Sequence, residues 1–241
     1  MRRYAENDMT RWFRKPRRKP LVIRGARQVG KSTLVRNFAK QQGLTLHEIN
    51  LERHRNLNAL FREGTIREVI RELAYACGSS SIRSEKSLLF LDEIQATPDA
   101  IPFLRYLYED LPELAVVAAG SLLEFTLGKH DYSMPVGRIE YLFLGPMTFS
   151  EFLLARAGED LAALLFEFVG SDLPSTAHER LLRHFRDYIF VGGMPEAILA
   201  DCEGDGFAEV TDVHSSIIET YIDDFGKYAR DSQLVRLQTV F

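Results

Sequence analysis

Apolar residues along this chain follow two rhythms, and the change from one to the other falls at Gly145-Pro146. Before that point, short apolar runs alternate with stretches of helical spacing. Leu21-Val22-Ile23 reads as a buried strand, and Thr33 to Ala39 as the helix that follows it. Leu44 to Asn50 alternates like a strand. Thr65 to Cys77 sets Ile66, Val69, Ile70 and Leu73 on one helical face, and Gly78-Ser79-Ser80-Ser81 closes it with a loop. Leu88-Leu89-Phe90-Leu91 is a strand without polar interruption, as in a sheet covered on both faces. Pro102 to Leu111 predicts a helix with Leu104, Leu107 and Tyr108 inward, and Leu114 to Ala119 another strand. Val136 to Phe143 is a last alternating strand with Arg138 and Glu140 on one face. The succession β-α-β-α-β-α-β predicts an α/β fold, a parallel sheet in three layers with right-handed crossovers.

Past Gly145-Pro146 the spacing is helical at 148–157, 159–169, 177–190 and 207–224, with a tight break at Val191-Gly192-Gly193-Met194-Pro195-Glu196. This half is too helical to extend the sheet and predicts a helical or winged-helix lid subdomain. The expected organisation is a basic segment at 1–19, an α/β core at 20–146, the lid at 147–225 and the start of a further domain at 226–241.

The chemistry concentrates at strand ends. Gly25-Ala26-Arg27-Gln28-Val29-Gly30-Lys31-Ser32-Thr33 is a complete G-x-x-x-x-G-K-[ST] loop set between the first strand and its helix. In that setting backbone N–H groups and a helix N-terminus converge on an anionic phosphate. Lys31 can reach the β- and γ-phosphates, and the Ser32 hydroxyl can join a Mg²⁺ shell. Asp92-Glu93 ends the second apolar strand at the edge where α/β sheets hold ligands. There Asp92 is a metal-ligand candidate, and Glu93 a candidate to polarise the attacking water. Gly120-Ser121 ends the next strand, where Ser121 either senses the γ-phosphate or caps the following helix through a capping box with Glu124.

Charge and composition change this picture in one place. The net charge is −4, yet residues 1–36 carry twelve Arg/Lys against Glu6 and Asp8, a local +10, which leaves −14 for the remainder. The cluster Arg14-Lys15-Pro16-Arg17-Arg18-Lys19 lies outside the loop and is either a solvated segment or an attractor for nucleic acid or an acidic protein. Cys77 and Cys202 stand far apart, and the six histidines form no i,i+4 pair, so neither a disulfide framework nor a zinc site is expected. No run of eighteen apolar residues and no signal-peptide pattern is present, which predicts a cytoplasmic protein without a membrane span.

Taken with their order, these motifs resemble the AAA-type ATPases of the bacterial and archaeal group related to STAND NTPases. The matching stretches are Gly25 to Thr33, Leu91-Asp92-Glu93-Ile94-Gln95, Gly120-Ser121, Gly137-Arg138, Gly145 to Phe152 and Gly192 to Glu196. Gly145 to Phe152 departs from the family's Leu-Pro-Leu-Ser-Phe-x-Glu-Phe at Met147 and Thr148 in a conservative way. The resemblance implies ATP as the nucleotide, and no Asn-Lys-x-Asp string that would read guanine occurs. It also implies that Gly193-Met194-Pro195 packs a lid on the nucleotide with Pro195 against it, and that Arg138 approaches the phosphates in cis; the residues alone equally allow Gly192-Gly193 to cap one helix with Pro195 starting the next, and Arg138 to pair with Glu140 at the surface. A C-terminal domain of restriction-endonuclease-like fold would begin after Ile218 to Asp224. Expected partners are ATP and ADP, with a second copy of the chain as a further candidate. Three functions stay open here: Mg-dependent ATP hydrolysis, a nucleotide-gated switch with slow hydrolysis, and a nucleic-acid-binding module built on the basic segment.

Overall fold

Every strand of the sheet runs parallel, in the order β2-β3-β4-β1-β5. A computed structural model describes residues 1–82, 86–121, 135, 137–167, 173–204 and 206–228. The strands are β1 (Leu21–Arg24), β2 (Thr45–Asn50), β3 (Ser87–Asp92), β4 (Ala115–Gly120) and β5 (Glu140–Phe143). The central strands β3 and β4 are buried along their whole length, which explains their unbroken apolar sequence. β5, on the edge, alternates between half-buried and exposed residues.

With these strands, helices α1 (Ala5–Phe13), α2 (Lys31–Gln42), α3 (Leu57–Glu63), α4 (Ile66–Ala76) and α5 (Ala100–Asp110) lie in one unit, which spans Tyr4–Gly145. Period-two alternation sends Val22, Ile49, Leu89, Leu91, Val116 and Ala118 to one face of the sheet. There they meet Leu57 and Phe61 of α3, Val69 and Leu73 of α4, and Leu104 and Leu107 of α5. The other face is covered by α2, whose Leu34, Val35 and Phe38 are fully buried. The fold is thus three-layered α/β. The sequence reading misses α1 and α3 and overextends the last strand. α1 hides inside a basic stretch, but its Ala5, Met9 and Trp12 recur at i, i+4 and i+7 and are buried. Phe13 then meets Phe38 of α2 edge-on at 5.7 Å. The last strand is also shorter than its pattern: Gly137 takes φ +76° and Arg138 N–H bonds Pro135 O, a turn that delays β5 to Glu140.

One buried histidine makes this unit sensitive to acid. His47 of β2 has Nε2 within 3.2 Å of the Ser87 hydroxyl and Nδ1 3.7 Å from the Cys77 thiol. Burial holds its pKa below the ordinary 6.5. The unfolded chain therefore takes up a proton near that pH that the folded chain refuses, so stability is full above pH 6.5 and falls as the pH drops below it. The thermal midpoint is expected to decline from about pH 7.5 to about pH 5.5, with a shallower decline in His47→Asn. His184 is shifted in the same direction, so the variant removes part of the slope. An unaltered slope in His47→Asn would discard this assignment.

The second unit comprises Met1–Arg3 and the chain from Pro146. It is built of α6 (Phe149–Ala157), α7 (Glu159–Glu167), α8 (Ser175–Val191), α9 (Pro195–Glu203) and α10 (Phe207–Tyr228). Its described residues are helical, as the spacing past Gly145-Pro146 predicts. Thr148 and Glu151 form a capping box that starts α6. Glu151 also accepts from Arg3 Nε at 3.0 Å in a buried pair that fixes the first residues of the chain in this unit. Met147, Phe152, Val191, Ala197, Ile198 and Val210 make its core. The Gly192-Gly193 break closes on that core, because Met147 N–H donates to Gly193 O at 2.6 Å and a Cβ on Gly193 would overlap Met147 O.

Candidate functional site

β1 delivers the chain to the loop at Gly25. A Cβ at this position would overlap the carbonyl oxygen of Leu144, just past β5, and Gly25 has φ +156°. The loop is seated there by Leu144 N–H donating to Arg24 O at 2.8 Å. Gln28 takes φ +64°, a left-handed conformation that costs a residue with a side chain, and Gly30 takes φ +91° as the N-cap of α2. Val29 is buried, while Ala26, Gln28 and Thr33 face solvent and Arg27 is half-buried. α2 has no acidic residue in its first turn, so its N-terminal N–H groups keep their full attraction for an anion.

Lys31, the first residue of α2, is buried and donates to Gly25 O at 3.0 Å and Ala26 O at 2.7 Å. Burial lowers its pKa; Glu93 and then Asp92 push it back up, and Arg27 adds to the lowering. Next to it, Ser32 Oγ donates to Asp92 Oδ2 at 2.8 Å across sixty residues of sequence. Asp92 is buried, and that burial raises its pKa; the Ser32 hydrogen bond works against the rise and the Glu93 charge adds to it. The first two motifs are therefore one site.

Glu93 follows with φ +51°, and its N–H donates to Asp92 Oδ1 at 3.1 Å. Gln28 and Glu93 are the two non-glycine residues with positive φ among the described residues, and both are in this site. Such strain persists only where the surroundings over-determine it, and functional sites are where it gathers. The left-handed turn at Glu93 starts a short 3₁₀ segment, Ile94–Ala96, in which Gln95 Nε2 donates to Glu93 Oε2. The sequence assigns Gln95 no role of its own, although it closes the Leu91–Gln95 stretch that carries the resemblance.

β4 lies between β1 and β3, with Gly120 level with Arg24 and Ala118 level with Leu91. Its tip, Gly120-Ser121, is thereby set between the loop and the acidic pair. Ser121 Oγ is buried and has no hydrogen-bond partner among the described residues. The helix at 122–125 that Ser121 was expected to cap lies outside the described residues.

Arg138 is not brought to this site. It precedes β5, at the opposite edge of the sheet from the loop, and its Nε donates to Glu109 Oε1 at 2.9 Å. The register Leu21↔Glu140 to Arg24↔Phe143 separates the two edges by about 10 Å of strand, which corrects the expected approach in cis. Pro195 opens α9 in the helical unit, as the first residue of that helix. The basic cluster is also dispersed. Lys15 pairs with Glu140 at 2.5 Å, and Arg18 lies over Phe13 while donating to Phe13 O and Glu113 O, which leaves Arg14 and Arg17 exposed.

A family model for the AAA domain matches residues 17–153, more than half of the chain. The chain belongs to the AAA domain family. Its fold is accordingly that of an AAA-type P-loop NTPase, with the loop at 25–33 and Asp92-Glu93 inside the matched span. A second model, Domain of unknown function (DUF8612), matches residues 182–241. No curated protein matches the sequence. Three solved structures resemble this AAA domain chain at low identity. "Structure of C. elegans PCH-2" has TM-score 0.42 and 11% identity, over 80% of this chain and 60% of that one. The Aeropyrum pernix ORC2 protein in its ADPNP-ADP complexes has 0.47 and 16%, over 83% and 61%. AMPPCP-bound DnaA from Aquifex aeolicus has 0.41 and 15%, over 77% and 54%. The AAA domain chain thus spans 54–61% of the length of these structures. No helix among its described residues is long and apolar enough to cross a membrane.

Proposed function

We propose that this chain binds MgATP at residues 25–33 and hydrolyses it. The observation that carries the reading is the Ser32–Asp92 hydrogen bond, which joins the phosphate loop to the acidic strand end in one buried cluster. Loop N–H groups and the start of α2 cradle the phosphates, and the Lys31 ammonium, desolvated and ringed by carbonyls, is spent on their charge. Ser32 and Asp92 supply hard oxygen donors of the kind Mg²⁺ prefers. Mg²⁺ at such a site takes most of its ligands from phosphate and water. When bound, Mg²⁺ draws charge from the triphosphate.

Glu93 receives the proton of the attacking water. The water oxygen bonds the γ-phosphorus as that atom's bond to the β,γ-bridging oxygen breaks, and ADP and phosphate leave. Ser121, at the β4 tip, offers its hydroxyl to the γ-phosphate. Arg138 stands at the far end of its own sheet, so it reaches a phosphate only if a second copy of the chain holds that phosphate. Phosphate release from ATP is therefore expected to require Mg²⁺ and to rise per molecule with protein concentration, the rise being flattened in Arg138→Ala. No Mg-dependent release at any concentration would sink the hydrolytic reading; release independent of concentration would sink only the role of a second copy.

A further inference from the structure

Glu93 is a carboxylate at the end of a turn, and something must aim it. The left-handed turn at Glu93 and the 3₁₀ segment after it bring Gln95 back beside Glu93 and over the end of β4. Its Nε2 donates to Glu93 Oε2. Its Oε1 lies against Gly120: a Cβ there would overlap this oxygen and come within 3.5 Å of Ile94 Cγ2. Glycine at position 120 is thus what leaves room for the Gln95 amide. That oxygen is buried and has no hydrogen-bond partner among the described residues, and the same is true of Ser121 Oγ one residue further on. A buried acceptor left without a donor is destabilising and so calls for an explanation. Two polar atoms of this kind flanking Gly120, at the strand tip between loop and acidic pair, mark a place built for polar chemistry.

We propose that Gln95 is the positioning residue for Glu93. Its amide N–H fixes one carboxylate oxygen and so leaves the other turned to the attacking water. Its carbonyl oxygen, packed against Gly120, holds the amide so that this N–H faces Glu93. The inference rests on the reading of Glu93 as the base in ATP hydrolysis and adds to it the residue that sets its aim. Gln95 does this without touching the phosphates, so it governs turnover and not nucleotide affinity.

The test uses Gln95→Met and Gln95→Glu, both close to glutamine in size, measured for ATP turnover, KM and binding of ADP, each alone and in a Glu93→Gln background. Methionine lacks the donor and the acceptor. Glutamate keeps an acceptor but sets a second negative charge against Glu93. Both are expected to lower kcat roughly 10–100-fold with KM and ADP affinity unchanged, the scale of loss for a misaimed reacting group. In Glu93→Gln the further loss is expected to be less than about threefold, because the residue acts through Glu93. Undiminished kcat in Gln95→Met would overturn the proposal, since a role in packing alone survives that exchange. A fall in ADP affinity matching the fall in kcat would overturn it as well, being the mark of a loosened β3–β4 edge. Equal losses in both backgrounds would show that Gln95 acts apart from Glu93 and equally overturn it. If the unaltered chain releases no phosphate, the hydrolytic reading itself has failed, and ADP affinity unchanged by both variants separates that outcome from a damaged site.

Discussion

Glu93→Gln is expected to reduce ATP turnover at least ~100-fold while changing affinity for ADP or a non-hydrolysable ATP analogue by less than about threefold. The two effects separate because the exchange removes a base without removing volume. The left-handed backbone at Glu93 and the N–H···Asp92 Oδ1 bond at 3.1 Å involve the main chain and survive it. Asp92 keeps its bond from Ser32, and Lys31 keeps its two loop carbonyls. What Lys31 loses is one of the two carboxylate charges that support its ammonium against burial, a change that acts on binding modestly because the phosphates themselves replace it. Steady-state phosphate release and titration with the two nucleotides separate these quantities. Turnover equal to that of the unaltered protein would remove Glu93 from the chemistry.

The second large effect belongs to a residue with no side chain. Gly25→Ala forces a methyl group onto the Leu144 carbonyl and asks alanine to adopt φ +156°. A backbone oxygen cannot swing aside as the end of a side chain can, so either Leu144 moves or the loop lifts. Leu144 is tied to Arg24 by its N–H, which makes the loop the part that yields. Overpacking and backbone strain of this sort each cost about 1–3 kcal/mol. The variant is expected to melt several degrees lower and to lose nucleotide affinity at least about tenfold, because the loop N–H groups no longer converge. Gly43→Ala is the comparison: it too has positive φ, +64°, but open space around the new methyl, so it strains the C-cap of α2 without touching the loop. Calorimetry and nucleotide titration of both variants decide the matter. Full affinity in Gly25→Ala would mean that the loop is not seated on Leu144.

What could be read from the sequence was local. A strand, nine loop residues and a helix are contiguous, so the phosphate loop is visible as a string, and Asp92-Glu93 is visible as the polar end of an apolar run. The order of strands is not local. Nothing near Leu114 to Ser121 says that β4 slips between β1 and β3, yet that pairing is what puts Ser121 and Gly120 at the site. For the same reason the alternation of Arg138 with Glu140 identified a face of a strand but not the end of the sheet, and the partner of Arg138 proved to be Glu109 on α5. Gly25 against Leu144 and Gln95 against Gly120 are contacts between segments far apart in the chain, invisible to spacing. Helix α1 was hidden by its charges: the buried positions were spaced correctly but embedded in the basic run. The helical half was read as a lid or winged helix because periodicity reports helices well and says little about what lies between them.

The position of β1 in the sheet also dictates an order of events while the chain is being made. Leu21 belongs to the earliest strand, but its neighbours are Val117 on one side and Glu140 on the other. As synthesis proceeds from the N-terminus, β2 and β3 can pair early, whereas β1 leaves the ribosome with both edges bare and stays so until the last two strands arrive. Arg3 waits longer still, since Glu151 lies beyond the whole sheet. The nascent chain therefore carries its phosphate loop as an unassembled segment through most of translation, and the loop becomes a nucleotide cradle only when Leu144 is in place beneath Gly25.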